Sequence, residues 1–226
     1  MELIMEQFPI VIQSLNVGFL QTLKLFFVTL LGALPLGLII AFGSMSHFRP
    51  LKYITNIIVW VVRGTPLMIQ MLIIYYFPGL VLNNVVWGGG ESGRFVAASV
   101  AFIFNYACYF SVIYRGGIQS VPQGQTEAGR SLGLNFTQTM RLIIIPQAFK
   151  NVLPALVNEF IVLIKETSII GYIGMMDLTK GAMLIQSRTY NAFMPLLAAA
   201  AIYLIVVMVL TFFMNKLERR LRTSER

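Results

Sequence analysis

Positions 95 to 114 carry no charged side chain, and as a helix that length matches the roughly 30 Å hydrocarbon core of a bilayer. Uncharged runs recur after Lys24 and again from Phe193 to Met214. Only 12% of the 226 residues are charged and 57% are hydrophobic, with a mean hydropathy of +0.76. A soluble domain carries about 25% charged residues, so this chain could not coat a soluble surface. The reading is an all-α polytopic membrane protein with a single transmembrane domain over residues 1–226.

Five spans are predicted. The first covers Phe19 to Phe42, with Lys24 near one end, where its stem can lie along apolar surface and its ammonium reach the interface. The second is Pro66 to Leu82, started by Thr65 as N-cap and Pro66 at the first helical position. Ile54 to Val62 is either an interfacial lead-in or the same helix kinked at Pro66. The third lies between Arg94 and Arg115, with Asn105 at its midpoint. The fourth runs from Val152 to Tyr172, and a polar loop with Asp177, Lys180 and Arg188 follows it. The fifth is Phe193 to Met214. Tyr75, Tyr76 and Trp87 suit a membrane–water boundary, and Gly88-Gly89-Gly90 reads as a flexible loop. Cys108 is a small packing residue inside an apolar run. No cleavable signal peptide is evident, because Glu2 and Glu6 stand where a basic segment would be.

The net charge of +8 would suggest nucleic acid in a soluble protein, but the positions of the charges point to membrane topology. Alternate loops divide the basic residues into two sets. One holds Arg49, Lys52, Arg63, Arg115, Arg130, Arg141, Lys150, Lys216, Arg219, Arg220, Arg222 and Arg226; the other holds Arg94, Lys180 and Arg188. Lys and Arg concentrate on the cytoplasmic side. Twelve against three puts the 115–150 loop and the C-terminus in the cytoplasm and the N-terminus outside.

That loop has its own helical chemistry. Pro122 suits a first turn, and Gly133 a left-handed stop after Leu132. Ala128 and Leu132 share a small apolar face. Asn135 offers an N-cap for a second short helix, with Phe136, Met140 and Ile143 or Ile144 on one stripe, ended at Ile145-Pro146 because a residue before proline avoids helical geometry. Two such amphipathic helices fit a groove on another protein or the lipid surface.

The run Glu127-Ala128-Gly129, three residues, Gly133, nine residues, Ile143-Ile144-Ile145-Pro146 resembles the EAA loop of ABC importer permeases. Their pattern is Glu-Ala-Ala, three residues, Gly, nine residues, Ile-x-Leu-Pro; this chain departs at Gly129 and Ile145. Arg63-Gly-Thr-Pro-Leu, Arg115-Gly-Gly-Ile-Gln-Ser-Val-Pro-Gln-Gly-Gln, Ile145-Pro-Gln-Ala-Phe, Asn158-Glu-Phe-Ile and Lys165-Glu-Thr-Ser look like the polar amino-acid uptake permeases. The resemblance implies the five-span type I importer fold in a prokaryotic cell membrane. It implies a pore made with a second copy or a close homologue, and an extracytoplasmic solute-binding protein that hands over a polar amino acid. ABC ATPase subunits would dock on the loop, with Gln125, Glu127, Ala128, Arg130, Gly133 and Pro146 as the coupling residues. ATP and Mg belong to those partners, since the chain has no G-x-x-x-x-G-K-[ST] phosphate loop and no cofactor or metal site of its own.

A charge near the bilayer centre costs at least about 2.5 kcal/mol and needs a partner or a water-filled cavity. Glu159 and Glu166, seven apart, share one helix face about 10.5 Å from each other along the axis. Asn158 and Lys165 share the adjoining face. Similar permeases carry Asn, Glu and usually Asp at the positions of Asn105, Glu159 and Glu166, which makes these three the candidate substrate contacts; the alternative is that Glu159, Lys165 and Glu166 pair with one another. Relatives often carry Glu where this chain has Val112. The carboxylates favour a basic amino acid, with glutamine or cystine as the alternative. A secondary transporter would not need the paired loop helices. An embedded enzyme lacks a candidate, His47 being the single histidine.

Overall fold

The chain opens with α1 (Glu2–Ser44), which runs unbroken through Pro35. The structure, a computed structural model, describes residues 2–81, 83, 86–191 and 193–222. Leu82, the end of the second predicted span, and Arg226 of the basic set lie outside these residues. α1 has 43 residues and measures about 64 Å, so it continues well past the predicted Phe19–Phe42 span. Gly32, Ala33, Gly37 and Ala41 bring it close to α4 (Gly90–Gln119). A methyl on Gly37 would stand 2.9 Å from Cβ of Phe110 and 3.0 Å from the carbonyl oxygen of Ala107. Lipid tails are as apolar as side chains, so tight contact between small residues, rather than hydrophobic exclusion, holds such helices together. Ala97, Ala98, Ala101, Phe102, Ala107 and Phe110 of α4 are buried accordingly.

Between α1 and α4 lie α2 (Arg49–Arg63) and α3 (Leu67–Val81), bent from one another by 104°. The second predicted span is corrected here. α3 alone has 15 residues, about 22 Å, too short to cross; only the bent pair together meets the requirement. Thr65 is not an N-cap: its hydroxyl turns back to donate to Val61 O at 3.0 Å, closing the end of α2 instead of opening α3.

After α4 come α5 (Gln123–Ser131), α6 (Phe136–Thr139), a π-helical turn (Met140–Ile144) and α7 (Ile145–Glu166). The expected stop at Ile145-Pro146 does not occur. Ile145 is helical at φ −60°, ψ −44°, and the widened π turn just before it takes up the proline that a tight helix would reject. The fourth predicted span therefore starts inside the loop and ends at Glu166, with a 3₁₀ turn (Thr167–Ile173) completing it. The expected polar loop after it is a helix, α8 (Leu178–Thr189), capped by Asp177, whose carboxylate accepts from the backbone N–H groups of Thr179 and Lys180 at 3.0 Å each. Leu178, Ala182 and Ile185 bury one face of α8 against Leu15 of α1 and Ala199 of α9 (Met194–Arg222).

Leu25, Phe26, Met71, Phe102, Tyr106, Phe110, Leu163 and Ile164 form the main core, where α1, α3, α4 and α7 meet. Among the described residues, α1, α4 and α9 are each long and apolar enough to cross a bilayer, and the bent α2–α3 pair meets the same length and composition test as a broken span or a re-entrant loop. α7, with 22 residues and about 33 Å long, is long enough, but Lys150, Glu159, Lys165 and Glu166 lower its apolar character. Cys108 is fully buried, in a cluster with Val59 and Val62 of α2, and Val112 packs against the same cluster. Val112 thus takes part in an apolar contact between α2 and α4. Lys24 is exposed, with Nζ 4.4 Å from the centre of the Phe95 ring.

Candidate functional site

Two regions hold the residues singled out from the sequence. The first lies where the α2–α3 break, the middle of α4 and the second half of α7 converge. α7 places Glu159 and Glu166 half-buried. Glu166 is held by Tyr106, whose hydroxyl donates to its Oε2 at 2.7 Å, and Tyr106 is only 1% exposed. Glu159 lies within electrostatic range of Glu166 and, with a smaller influence, of Arg63. Arg63 does not stand in a loop as the basic-residue count assumed: it ends α2 at the break, with its guanidinium 5.1 Å above the Tyr109 ring of α4. Removing it from that count leaves the asymmetry between the two sets intact.

Asn105 is 2% exposed, and its Nδ2 donates to Oε1 of Gln70 at 2.9 Å. It is therefore joined to the α2–α3 break, whereas Glu159 and Glu166 stay partly accessible. Lys165 is exposed and lines a separate cavity with Ser168, Thr179, Ala199 and Tyr203, toward α9. Asn158 is exposed. Gln70, Tyr106 and Arg63 were missed as members of this cluster. For Gln70 the available signal was its place as a carboxamide among the apolar residues of Leu67–Val81.

The second region is the α5–α6 connection. Gly133 adopts φ +77°; its N–H donates to Arg130 O at 2.9 Å, and that of Leu134 to Gly129 O at 3.0 Å, the paired bonds of a Schellman stop. Two residues on, Asn135 and Gln138 form a reciprocal capping box with both bonds at 2.9 Å. α5 is buried only at Gly129, where an added methyl would lie 3.0 Å from the Thr139 side chain; the glycine that replaces alanine in the loop pattern lets α5 sit close on α6. Gln125, Glu127, Ala128, Arg130, Gly133 and Pro146 are all exposed. Leu132, Phe136 and Leu142 are exposed large hydrophobics on the same connection, at 78%, 72% and 63%. Of the predicted apolar stripe, Ile144 turns inward and Phe136 outward.

The described residues form an all-helical domain with membrane-length apolar helices, polar side chains among its packed helices and an exposed, self-capped helical connection. Residues 33–223 match the family of binding-protein-dependent transport system inner membrane components, and the chain belongs to this family. It is a multi-pass subunit of a bacterial inner-membrane ABC transport system with the type I importer permease fold. It is 37% identical over 220 residues to the arginine transport system permease protein ArtQ of Bacillus subtilis, covering 97% of this chain and 95% of that one. It is 33% identical to the glutamine transport system permease protein GlnP of Escherichia coli, with 91% of each covered. To the L-cystine transport system permease protein TcyB of Bacillus subtilis it is 37% identical, with 92% and 86% covered. Among solved structures, an amino acid ABC transporter determined with histidines superposes with a TM-score of 0.86 at 39% identity, covering 96% of this chain and 97% of that one. The MetNI methionine ABC transporter in an inward-facing form shares the fold at a TM-score of 0.69 and 19% identity, with 92% and 96% covered.

Proposed function

We propose that this chain forms the pore of an ATP-driven importer for a polar amino acid, a basic one favoured, and that Glu159 and Glu166 contact the substrate. The carrying observation is the pair of half-buried carboxylates on α7, one of them oriented by Tyr106. Charged groups at membrane depth that remain partly accessible on a single chain cannot face lipid tails cheaply. They fit a water-filled path closed by a second copy or a close homologue. Two carboxylates there attract a cationic side chain or an α-ammonium, and Arg63 is the nearby positive charge that suits an α-carboxylate. Lys165 lines a separate cavity toward α9. Glutamine and cystine, the substrates in the names of two relatives, are the competing assignments.

On this reading the α5–α6 connection lies in the cytoplasm, the N-terminus outside, and ABC ATPase subunits dock on Leu132, Phe136 and the coupling residues Gln125, Glu127, Ala128, Arg130, Gly133 and Pro146. An extracytoplasmic solute-binding protein delivers the amino acid. ATP and Mg are held by the ATPase subunits.

The test is Glu159→Gln in the reconstituted complex. Uptake of labelled arginine should weaken about tenfold or more through loss of a charge-assisted contact, with ATPase subunits still co-purifying. Uptake at wild-type rate and affinity would remove Glu159 from the binding role. A thermal-shift scan of the solute-binding protein against arginine, lysine, histidine, glutamine and cystine separates the assignments.

A further inference from the structure

We propose that Gln70 is a positioning residue: it fastens the α2–α3 break to α4 and so sets where Arg63 stands relative to Glu159. This rests on the reading of Glu159 as a substrate contact. A helix end leaves its last carbonyls without helical partners, and at the end of α2 the carboxamide of Gln70 supplies one. Its Nε2 lies 2.7 Å from Val62 O, 3.1 Å from Thr65 O and 2.6 Å from Thr65 Oγ1. The Thr65 hydroxyl gives its own proton to Val61 O, so it can only accept from Gln70.

Those acceptors fix which way the amide faces. With the NH₂ group committed to the break, Oε1 turns to α4 and accepts from Asn105 Nδ2 at 2.9 Å. Reversing the amide would set oxygen against the two carbonyl oxygens of Val62 and Thr65 on one side and NH₂ against the NH₂ of Asn105 on the other. One turn further along α4, Tyr109 lies under the Arg63 guanidinium. Successive turns of α4 therefore grip both sides of the 104° bend, one through Gln70 and one through Arg63. Asn105 is almost wholly buried, so losing Gln70 leaves its amide without this partner, at a cost. Arg63 is the last residue of the segment that Gln70 holds, so a change in the bend moves a positive charge that lies within electrostatic range of Glu159.

The experiment uses the permease assembled with its ATPase subunits and solute-binding protein in proteoliposomes. Spin labels at Tyr53→Cys on α2 and Leu80→Cys on α3 report the distance across the bend. Gln70→Ala should broaden that distance distribution and raise KM for arginine about tenfold, as small misplacements at a binding group do, with kcat within about twofold of wild type. Gln70→Glu, which when ionised keeps an acceptor for Asn105 but has no donor for the break, should behave like Gln70→Ala. Gln70→Ala/Asn105→Ala should be no worse than Gln70→Ala alone, since the two residues act as one unit. If Gln70→Ala does not assemble, Asn105→Ala removes only the outer bond and carries the same measurements. Wild-type distances with wild-type KM, a fall in yield with KM unchanged, or additive effects in the double variant would each overturn the proposal. Absence of amino-acid uptake by the wild-type complex would instead overturn the functional reading, and the distance measurement would still decide the role of Gln70.

Discussion

Gly133 shows how much a single residue decides in the loop. Its φ of +77° is a left-handed conformation that an L side chain adopts at a cost of about 1 kcal/mol. An added Cβ there meets nothing within 4 Å, so the cost is purely conformational. Gly133→Ala should lower the stability of the isolated permease by about 1 kcal/mol in thermal unfolding. Gly133→Trp should also strip ATPase subunits from the purified complex, because its bulk points outward; normal co-purification would show that this surface is not the docking face. Asp177 behaves differently. Burial pushes its carboxyl above the usual carboxylate range, against the backbone N–H groups of Lys180 and Thr179, which hold it down. With the folded value raised, the group favours the folded state below the ordinary carboxylate range, and that contribution is lost as pH rises through the folded value. Asp177→Asn keeps an acceptor for the cap and does not titrate. Thermal unfolding of variant and wild type should therefore diverge in favour of the variant as pH rises; a pH-independent difference would contradict the assignment.

At the scale of elements, the legible parts were those written in local chemistry. Gly133 as a stop and Asn135 as a cap follow from backbone conformation and a side chain reaching three residues along, and both are present. The π turn was not legible, because the rule that a residue before proline avoids the helix holds for a tight helix, and a widened turn evades it at Met140–Ile144. α8 was hidden because Asp177, Lys180 and Arg188 look like a loop, although Leu178, Ala182 and Ile185 lie at helical spacing and are buried. The α2–α3 break was visible at Arg63-Gly-Thr-Pro, but not its angle or the reversal of Thr65. The cluster around Glu166 and Gln70 rests on bonds spanning 60 and 35 positions, which no local pattern encodes. Glu159 and Glu166 stand out in the sequence as charges within an apolar segment; the bonds of Tyr106 and Gln70 do not.

For the whole molecule, the family assignment and the fold agree with a subunit that transports without supplying the energy itself. On the proposed function, its exposed α5–α6 surface is where a driving chain docks and its half-buried carboxylates face a pore completed by a second chain. The most direct measurement reconstitutes the permease with its ATPase subunits and solute-binding protein and follows labelled arginine into the vesicles. Uptake should need ATP and every one of these components and persist when proton and sodium gradients are dissipated. Uptake by the permease alone, or uptake that continues without ATP and collapses with the ion gradient, would contradict the account.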